Sequence, residues 1–213
     1  MNQKGVLIVI SGFAGSGKGT ITKELIKRYD NYRLSISATT RAPRPGEVDG
    51  KDYFFKTREQ FEEMIEQGKL LEHAHYVGNY YGTPRDYVEQ TLLEGNDVIL
   101  EIEYLGGFNV KRKFPEAVLC FITPPSVEEV YNRLKGRGTE TEEVILKRLK
   151  RGREEADVMD KYDYIIINDD LESAIENIHN SIQCSKNFAS HRLDFIDSLK
   201  CQFDAFLEDR NAE

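Results

Sequence analysis

The chain has 213 residues, 39% of them apolar, with eleven Phe and eleven Tyr; this supports one compact domain with a real core and excludes a disordered chain or a disulfide-stapled miniature. Asp plus Glu (37) outnumber Lys plus Arg (29) for a net charge of −8, which opposes non-specific attraction to nucleic acid or to an anionic membrane. No apolar run approaches the roughly 18 residues of a membrane span, and Met1 to Val9 lacks a secretory pattern; with three scattered cysteines, Cys120, Cys184 and Cys201, the expected compartment is the cytosol and the expected thiols are free.

Val6 to Ile10 reads as a strand buried on both faces, because its apolar residues run without alternation. Directly after it comes Gly12-Phe13-Ala14-Gly15-Ser16-Gly17-Lys18, followed by a helix over Thr20 to Tyr29. Strand, glycine loop and helix in that order are the context of a P-loop. Glycines let backbone N–H groups converge on phosphate oxygens, the helix N-terminus adds partial positive charge, and Lys18 adds a mobile full charge. The loop is therefore expected to hold a nucleoside triphosphate. The residue after Lys18 is Gly19, so the hydroxyl that would approach a metal comes one place later, at Thr20.

Arg33 to Ser37 is a weaker strand candidate, and from Ala38 to about Tyr87 the α/β rhythm breaks into short aromatic segments among Pro43, Pro45, Gly46, Gly50, Gly78 and Gly82. An inserted lobe is the simplest account. Inside it, Thr57 with Gln60 forms a capping-box pair, and Thr83 followed by Pro84 predicts a helix N-cap with proline at the first position. His73 and His75 share a strand face, but nothing nearby completes a metal set, so packing or contact with a base edge is the reading.

Val98 to Ile102, Val118 to Ile122 and Tyr164 to Ile167 are further buried strands, and Ser126 with Glu129 opens a helix. Arg133 to Arg153 holds eight Lys or Arg against three Glu, a local reversal of the chain's charge that points to an anionic partner; the alternative is a solvated face balanced by Glu154, Glu155 and Asp157. A helix is expected from Asp170 to about Gln183. Phe195 or Ile196, Leu199, Phe203 and Phe206 then mark an amphipathic tail helix that packs on the body or on a partner subunit.

Three segments of the inserted region are specific in order and spacing: Ser37-Ala38-Thr39-Thr40-Arg41-Ala42-Pro43-Arg44-Pro45-Gly46-Glu47, Asp49-Gly50-Lys51-Asp52-Tyr53-Phe54-Phe55, and Gly78-Asn79-Tyr80-Tyr81-Gly82-Thr83-Pro84. With the P-loop, Arg137-Gly138-Thr139 and Asn168-Asp169-Asp170, the series resembles the guanylate kinases over about residues 4–183. The resemblance implies an α/β fold: a P-loop three-layer core with a mainly parallel five-stranded sheet (4–37 and 88–183), an inserted mixed GMP-binding lobe (about 38–87) and a helical lid (about 133–153). Residues 184–213 would be an amphipathic helical extension.

The implied reaction is transfer of the terminal phosphoryl of ATP to GMP, giving ADP and GDP, with Mg²⁺. The implied partners are these nucleotides, with neither nucleic acid nor membrane, in a monomer or homodimer. By resemblance, Gly12, Phe13, Ala14, Gly15, Ser16, Gly17, Lys18, Gly19 and Thr20 hold ATP, and Thr20 and Glu101 stand near the metal. Arg41, Arg44, Tyr53 and Tyr81 take the GMP phosphate; two arginines on a proline-stiffened loop suit that task through their forked donors. Glu72, with Ser37 and Thr83, takes the base, and Glu103 lies on the GMP side. A carboxylate there can accept from guanine N1–H and the 2-amino group, whereas AMP offers a lone pair and no amino group.

Lys18, Arg133, Arg137 and Arg148 are the implied electrostatic catalysts. No general base is needed, because the attacking phosphate oxygen is already anionic. The chain departs from the family pattern in several places: Glu101-Ile102-Glu103 replaces the usual Asp-x-Asp, Phe13-Ala14 replaces Pro-Ser, Leu105 a common glutamine and His73 a frequent tryptophan. The alternatives are a non-catalytic phosphopeptide-binding relative, against which Lys18, Arg41, Arg44 and Arg137 argue, and another nucleoside monophosphate kinase, which would not need Glu72 with Ser37.

Overall fold

The computed structural model describes residues 4–76, 78–138 and 140–211. Thr139 of the family-like Arg137-Gly138-Thr139 segment lies outside them.

The chain begins with Leu7–Gly12 (β1), Lys18–Arg28 (α1), Tyr32–Leu34 (β2), Ala38–Thr39 (β3), Phe54–Phe55 (β4), Arg58–Glu66 (α2), Leu70–Tyr76 (β5) and Asn79–Pro84 (β6). It continues through Arg85–Leu93 (α3), Asp97–Glu101 (β7), Tyr104–Lys113 (α4), Val118–Thr123 (β8), Val127–Gly136 (α5) and Glu142–Ala156 (α6), and ends with Tyr164–Ile167 (β9), Leu171–Ser185 (α7) and Leu193–Asn211 (α8). Five strands form an all-parallel sheet in the order β2-β7-β1-β8-β9. The other four form a mixed sheet in the order β4-β3-β6-β5.

Helices cover both faces of the inner strands β7, β1 and β8, which is why these read as unbroken apolar runs. The expectation of full burial fails at the edge strand β9, where Ile165 and Ile167 are 42 and 56% exposed because no further strand or helix among the described residues covers that face, and β2 at the other edge is exposed at Arg33 and Leu34. Ile8 and Ile10 pack with Ile21 and Leu25 of α1 and with Ile175, Ile178 and Ile182 of α7. Leu7 and Val9 pack the other way, with Val88 and Leu92 of α3, Val110 of α4 and Phe121. β1 lies between β7 and β8, so its carboxyl end opens where the strand order reverses, the place where open α/β sheets bind ligands. At the opposite end, fully buried Asp97 accepts hydrogen bonds from Val6 N (2.9 Å) and Asn31 Nδ2 (2.6 Å) and pairs with Lys186 Nζ (2.7 Å).

Several local expectations are met and others are revised. Thr57 and Gln60 form a complete capping box for α2. Ser126 Oγ accepts from Glu129 N, which is half of such a box. Thr83 does not cap α3: the helix starts at Arg85 after Pro84, and the Thr83 hydroxyl is turned to Glu72 instead. α1 begins at Lys18, two residues before Thr20, because Gly17 supplies a left-handed cap (φ 92°). The tail forms its helix, but Phe195, Leu199, Phe203 and Phe206 are 54, 40, 60 and 57% exposed, so their face is not packed on the body. Cys120 is buried in the core, and Cys184 and Cys201 are exposed free thiols.

Candidate active site

The glycines of the loop after β1 are set by backbone need. A Cβ at Gly12 would lie 2.1 Å from Ile122 O, and one at Gly17 would lie 2.4 Å from Asn168 Nδ2. Gly15 and Gly17 both have positive φ. Asn168 clamps the loop by donating from Nδ2 to Ser16 O (2.8 Å), and its own carbonyl accepts from Arg133 Nη2 (2.9 Å). Arg133 is also held by Glu129 Oε1 (2.6 Å), so it braces the loop from behind and is not part of the cleft wall. Phe13 sends its ring into the core, edge-on to Phe121 at 4.9 Å. Only its main chain serves the loop, accepting from Lys18 Nζ at 3.1 Å.

Lys18 Nζ folds over the loop and donates to Gly12 O at 2.6 Å. Burial lowers its pKa, and Glu103, Glu101 and Glu155 oppose that shift. The cleft above the loop has a volume of about 430 Å³. Of the predicted residues, Gly12, Ala14, Gly15, Ser16, Gly17, Lys18, Gly19 and Thr20 line it with Glu101, Glu103, Arg137 and Arg148. Arg148 pairs with Glu140 at 2.6 Å, and Arg137 ends α5. The carboxyl of Glu101 is raised by desolvation, against the pull of Lys18, Thr22 and Lys23.

Lys23, Tyr76, Arg151 and Glu155 also line the cleft and were not singled out from the sequence. Glu155 is buried at 6% exposure, and burial together with neighbouring Glu103 pushes its carboxyl up to about 7. The signal for these α6 residues was spacing: Arg148, Arg151 and Glu155 recur at three and four residues and so share one helix face.

The mixed sheet carries a second polar cluster. Arg41 donates to Glu47 Oε1 (2.8 Å) and Ala42 O (2.8 Å), with its guanidinium 5.2 Å over the Tyr53 ring. Glu47 Oε2 takes the Arg44 backbone N–H at 2.7 Å, and the Arg44 side chain is exposed. Tyr53 and Tyr81 meet edge to face at 6.2 Å. These residues lie apart in the sequence and are brought together because β4 and β6 flank β3.

Glu72 on β5 is 3% exposed and accepts from Thr83 Oγ1 at 2.8 Å. Burial raises its carboxyl to about 7, against smaller opposing effects of Thr83 and Lys113. A Cβ at Gly106 of α4 would lie only 3.1 Å from Glu72 Oε2, so this helix passes directly beside the carboxylate. Ser37 is half-buried at the entrance to β3, where its carbonyl accepts from Phe54 N at 2.9 Å. His75 packs edge to face on Tyr80.

The two clusters are joined by aromatic contacts. Tyr76, at the cleft wall, meets Tyr81 at 6.2 Å, and Tyr81 meets Tyr53 at the same distance. Glu101, Glu103, Glu155 and Thr20 supply hard oxygen donors of the kind Mg²⁺ takes. Among the described residues no three of His, Cys, Asp and Glu come together closely enough to hold an ion unaided. The donor set therefore fits an ion that shares its coordination with nucleotide phosphates and water, as Mg²⁺ commonly does.

A glycine-lined phosphate loop at the switch point of a parallel sheet, roofed by arginines and floored by carboxylates, defines a P-loop nucleotide phosphotransferase. The guanylate kinase family model matches residues 4–185. A guanylate kinase of Bacillus cereus is 60% identical over 178 residues, covering 83% of this chain and 87% of its own. One from Oceanobacillus iheyensis is 51% identical over 183 residues, covering 86% and 89%. The crystal structure of guanylate kinase from Anaplasma phagocytophilum superposes with a TM-score of 0.73 at 34% identity, covering 89% of this chain and 90% of that one. The chain belongs to the guanylate kinase family. α8 lies beyond the matched residues. No described helix is long and apolar enough to cross a membrane.

Proposed function

We propose that the chain catalyses transfer of the γ-phosphoryl group of ATP to the phosphate of GMP, forming ADP and GDP. One observation supports this reading: the glycine loop and the cluster of Arg41, Tyr53 and Tyr81 are linked through the contact of Tyr76 with Tyr81, and the buried carboxylate of Glu72 lies on the same strand as Tyr76. The loop from Gly12 to Thr20 grips the ATP phosphates, and Lys18 places its charge over them. Arg41 and Arg44 fork onto the GMP phosphate, with the Tyr53 and Tyr81 hydroxyls beside it. Glu72, fixed by Thr83, accepts the guanine N–H donors, and Ser37 stands at the same end of the pocket.

Phosphoryl transfer asks little covalent chemistry of a protein, so positioning and charge carry the rate. Arg137 and Arg148 stabilise charge on the oxygens of the moving phosphorus, while Arg133 keeps the loop in shape through Asn168. Thr20 and Glu101, with Glu103 nearby, are the residues that would hold Mg²⁺, which would supply positive charge against the ATP phosphates. In this reading residues 38–87 form the GMP lobe and 133–153 a lid over the core formed by 4–37 and 88–183; closing both excludes water that would otherwise hydrolyse ATP.

The test is a phosphotransfer assay with ATP and Mg²⁺ over a panel of nucleoside monophosphates. GMP is expected to turn over at least about 10⁴-fold more efficiently than AMP, as in sites built to hydrogen-bond their substrate. Comparable AMP turnover would overturn the role of Glu72, and no turnover of GMP would overturn the function.

A further inference from the structure

We infer that Arg151 is a positioning residue that couples the mixed sheet to α6, so that filling one nucleotide pocket favours binding at the other. The inference rests on the two-nucleotide reading above. Arg151 touches three separately anchored pieces of the molecule. Its guanidinium lies 4.5 Å over the ring of Tyr76 on β5, its Nη2 donates to Glu103 Oε2 (3.2 Å) at the start of α4, and its Nε donates to Glu155 Oε1 (3.2 Å) on its own helix.

Arginine alone can serve these three at once. Its flat face stacks on the ring while its edge donates in the plane, whereas an ammonium is a point charge with no face. The Glu155 side chain is only 8% exposed, and a buried carboxylate holds a partner strongly because leaving it unpaired is costly. The guanidinium is thus fixed on the lid side and rests on the mixed sheet at the other. Tyr76 continues the contact to Tyr81 and Tyr53, and Arg41 sits 5.2 Å over the Tyr53 ring. A phosphate drawing Arg41 inward therefore acts on rings that end against Arg151.

Coupling between sites is reciprocal and is read as a ratio of affinities. The experiment is calorimetric titration of a non-hydrolysable ATP analogue with Mg²⁺ into the full chain, with and without saturating GMP. In the wild type GMP is expected to tighten the analogue about three- to tenfold. Arg151→Met, which keeps the stem and removes the fork, should bring that ratio to about one, and Arg151→Lys should restore little of it. Tyr76→Leu should have the same effect, and the double variant should lose no more than the worse single one. Should Arg151→Met fail to fold, Tyr76→Leu with Arg151→Lys carries the test. A wild-type ratio retained in the variants, or losses that multiply in the double variant, would overturn the coupling. GMP that binds without tightening the analogue in the wild type would overturn it while leaving the proposed function standing; GMP that does not bind overturns both.

Discussion

The two regions proposed to hold phosphate are built on opposite plans. The loop between β1 and α1 is a backbone device: left-handed glycines point N–H groups inward, and contacts from Ile122 and Asn168 leave no room for side chains. The pocket on the mixed sheet is a side-chain device, in which Arg41 is already engaged by Glu47 and Arg44 is exposed. A backbone site is fixed by folding and carries little information about which nucleotide it holds. A side-chain site can exchange partners, so in the proposed role an incoming phosphate would compete with Glu47 for Arg41, and Glu72 would discriminate the base.

The comparison can be broken most directly at Lys18, which holds a full charge directly over the backbone site, its ammonium donating to Gly12 O and Phe13 O. Lys18→Ala is expected to lower kcat by about 10²- to 10³-fold with an unchanged melting temperature, because the ammonium is desolvated and contributes little to stability. Steady-state kinetics with a thermal melt decides this, and a large fall in Tm would make Lys18 structural. Arg41→Ala should raise the KM for GMP by about 10- to 100-fold, the range for hydrogen bonds to charged groups, with a much smaller change for ATP. An effect confined to ATP would remove the distinction between the two regions.

Glu72 sharpens the contrast through pH. Its carboxyl is held near 7, and guanine requires the ionised form, so the KM for GMP should rise as pH falls through 7, approaching about tenfold per pH unit below it. Stability moves the other way. The folded carboxyl keeps its proton up to about 7, while its ordinary value is 4.5, so the native state binds more protons across that window and loses stability as pH rises through it. Glu72→Gln should remove both pH dependences, weaken GMP at pH near 8, and raise Tm there by a few degrees. The smallest effect is expected from ending the chain after Arg192: kcat and both KM values should stay within about twofold, since Phe195, Leu199, Phe203 and Phe206 of α8 stay exposed and its first turn sits at the far end of the sheet from the cleft. A larger loss in that truncated chain would show that the tail reaches the active cleft.

What could be read from sequence followed contiguity. The P-loop is seven consecutive residues between a strand and a helix, and four of the five core strands are apolar runs, so each could be recognised locally, whereas β2, Tyr32-Arg33-Leu34 at the sheet edge, gave only a weaker signal over Arg33 to Ser37. Spacing could put Arg151 and Glu155 on the helix face of Arg148, but their meeting with Tyr76 was not legible, because it depends on β5 and α6, which lie far apart in the chain, converging on one cleft. Thr83 misled for a related reason: a threonine before a proline has a strong local preference to cap, and a buried carboxylate across the hairpin outbid it. In the tail, helical spacing predicted the helix correctly but could not say whether its apolar face would find a surface.

The bareness of Gly106 reaches further than its size suggests. A methyl group there would meet Glu72 Oε2 at 3.1 Å and Ile102 Cδ1 at 3.3 Å, distances that force the neighbours apart by a few tenths of an ångström. It would act as a wedge between the parallel core and the strand that carries Glu72, the proposed base acceptor. Fidelity in choosing between two purines would then hang on a position that touches neither of them, and a search for selectivity mutants confined to the pocket walls would overlook it.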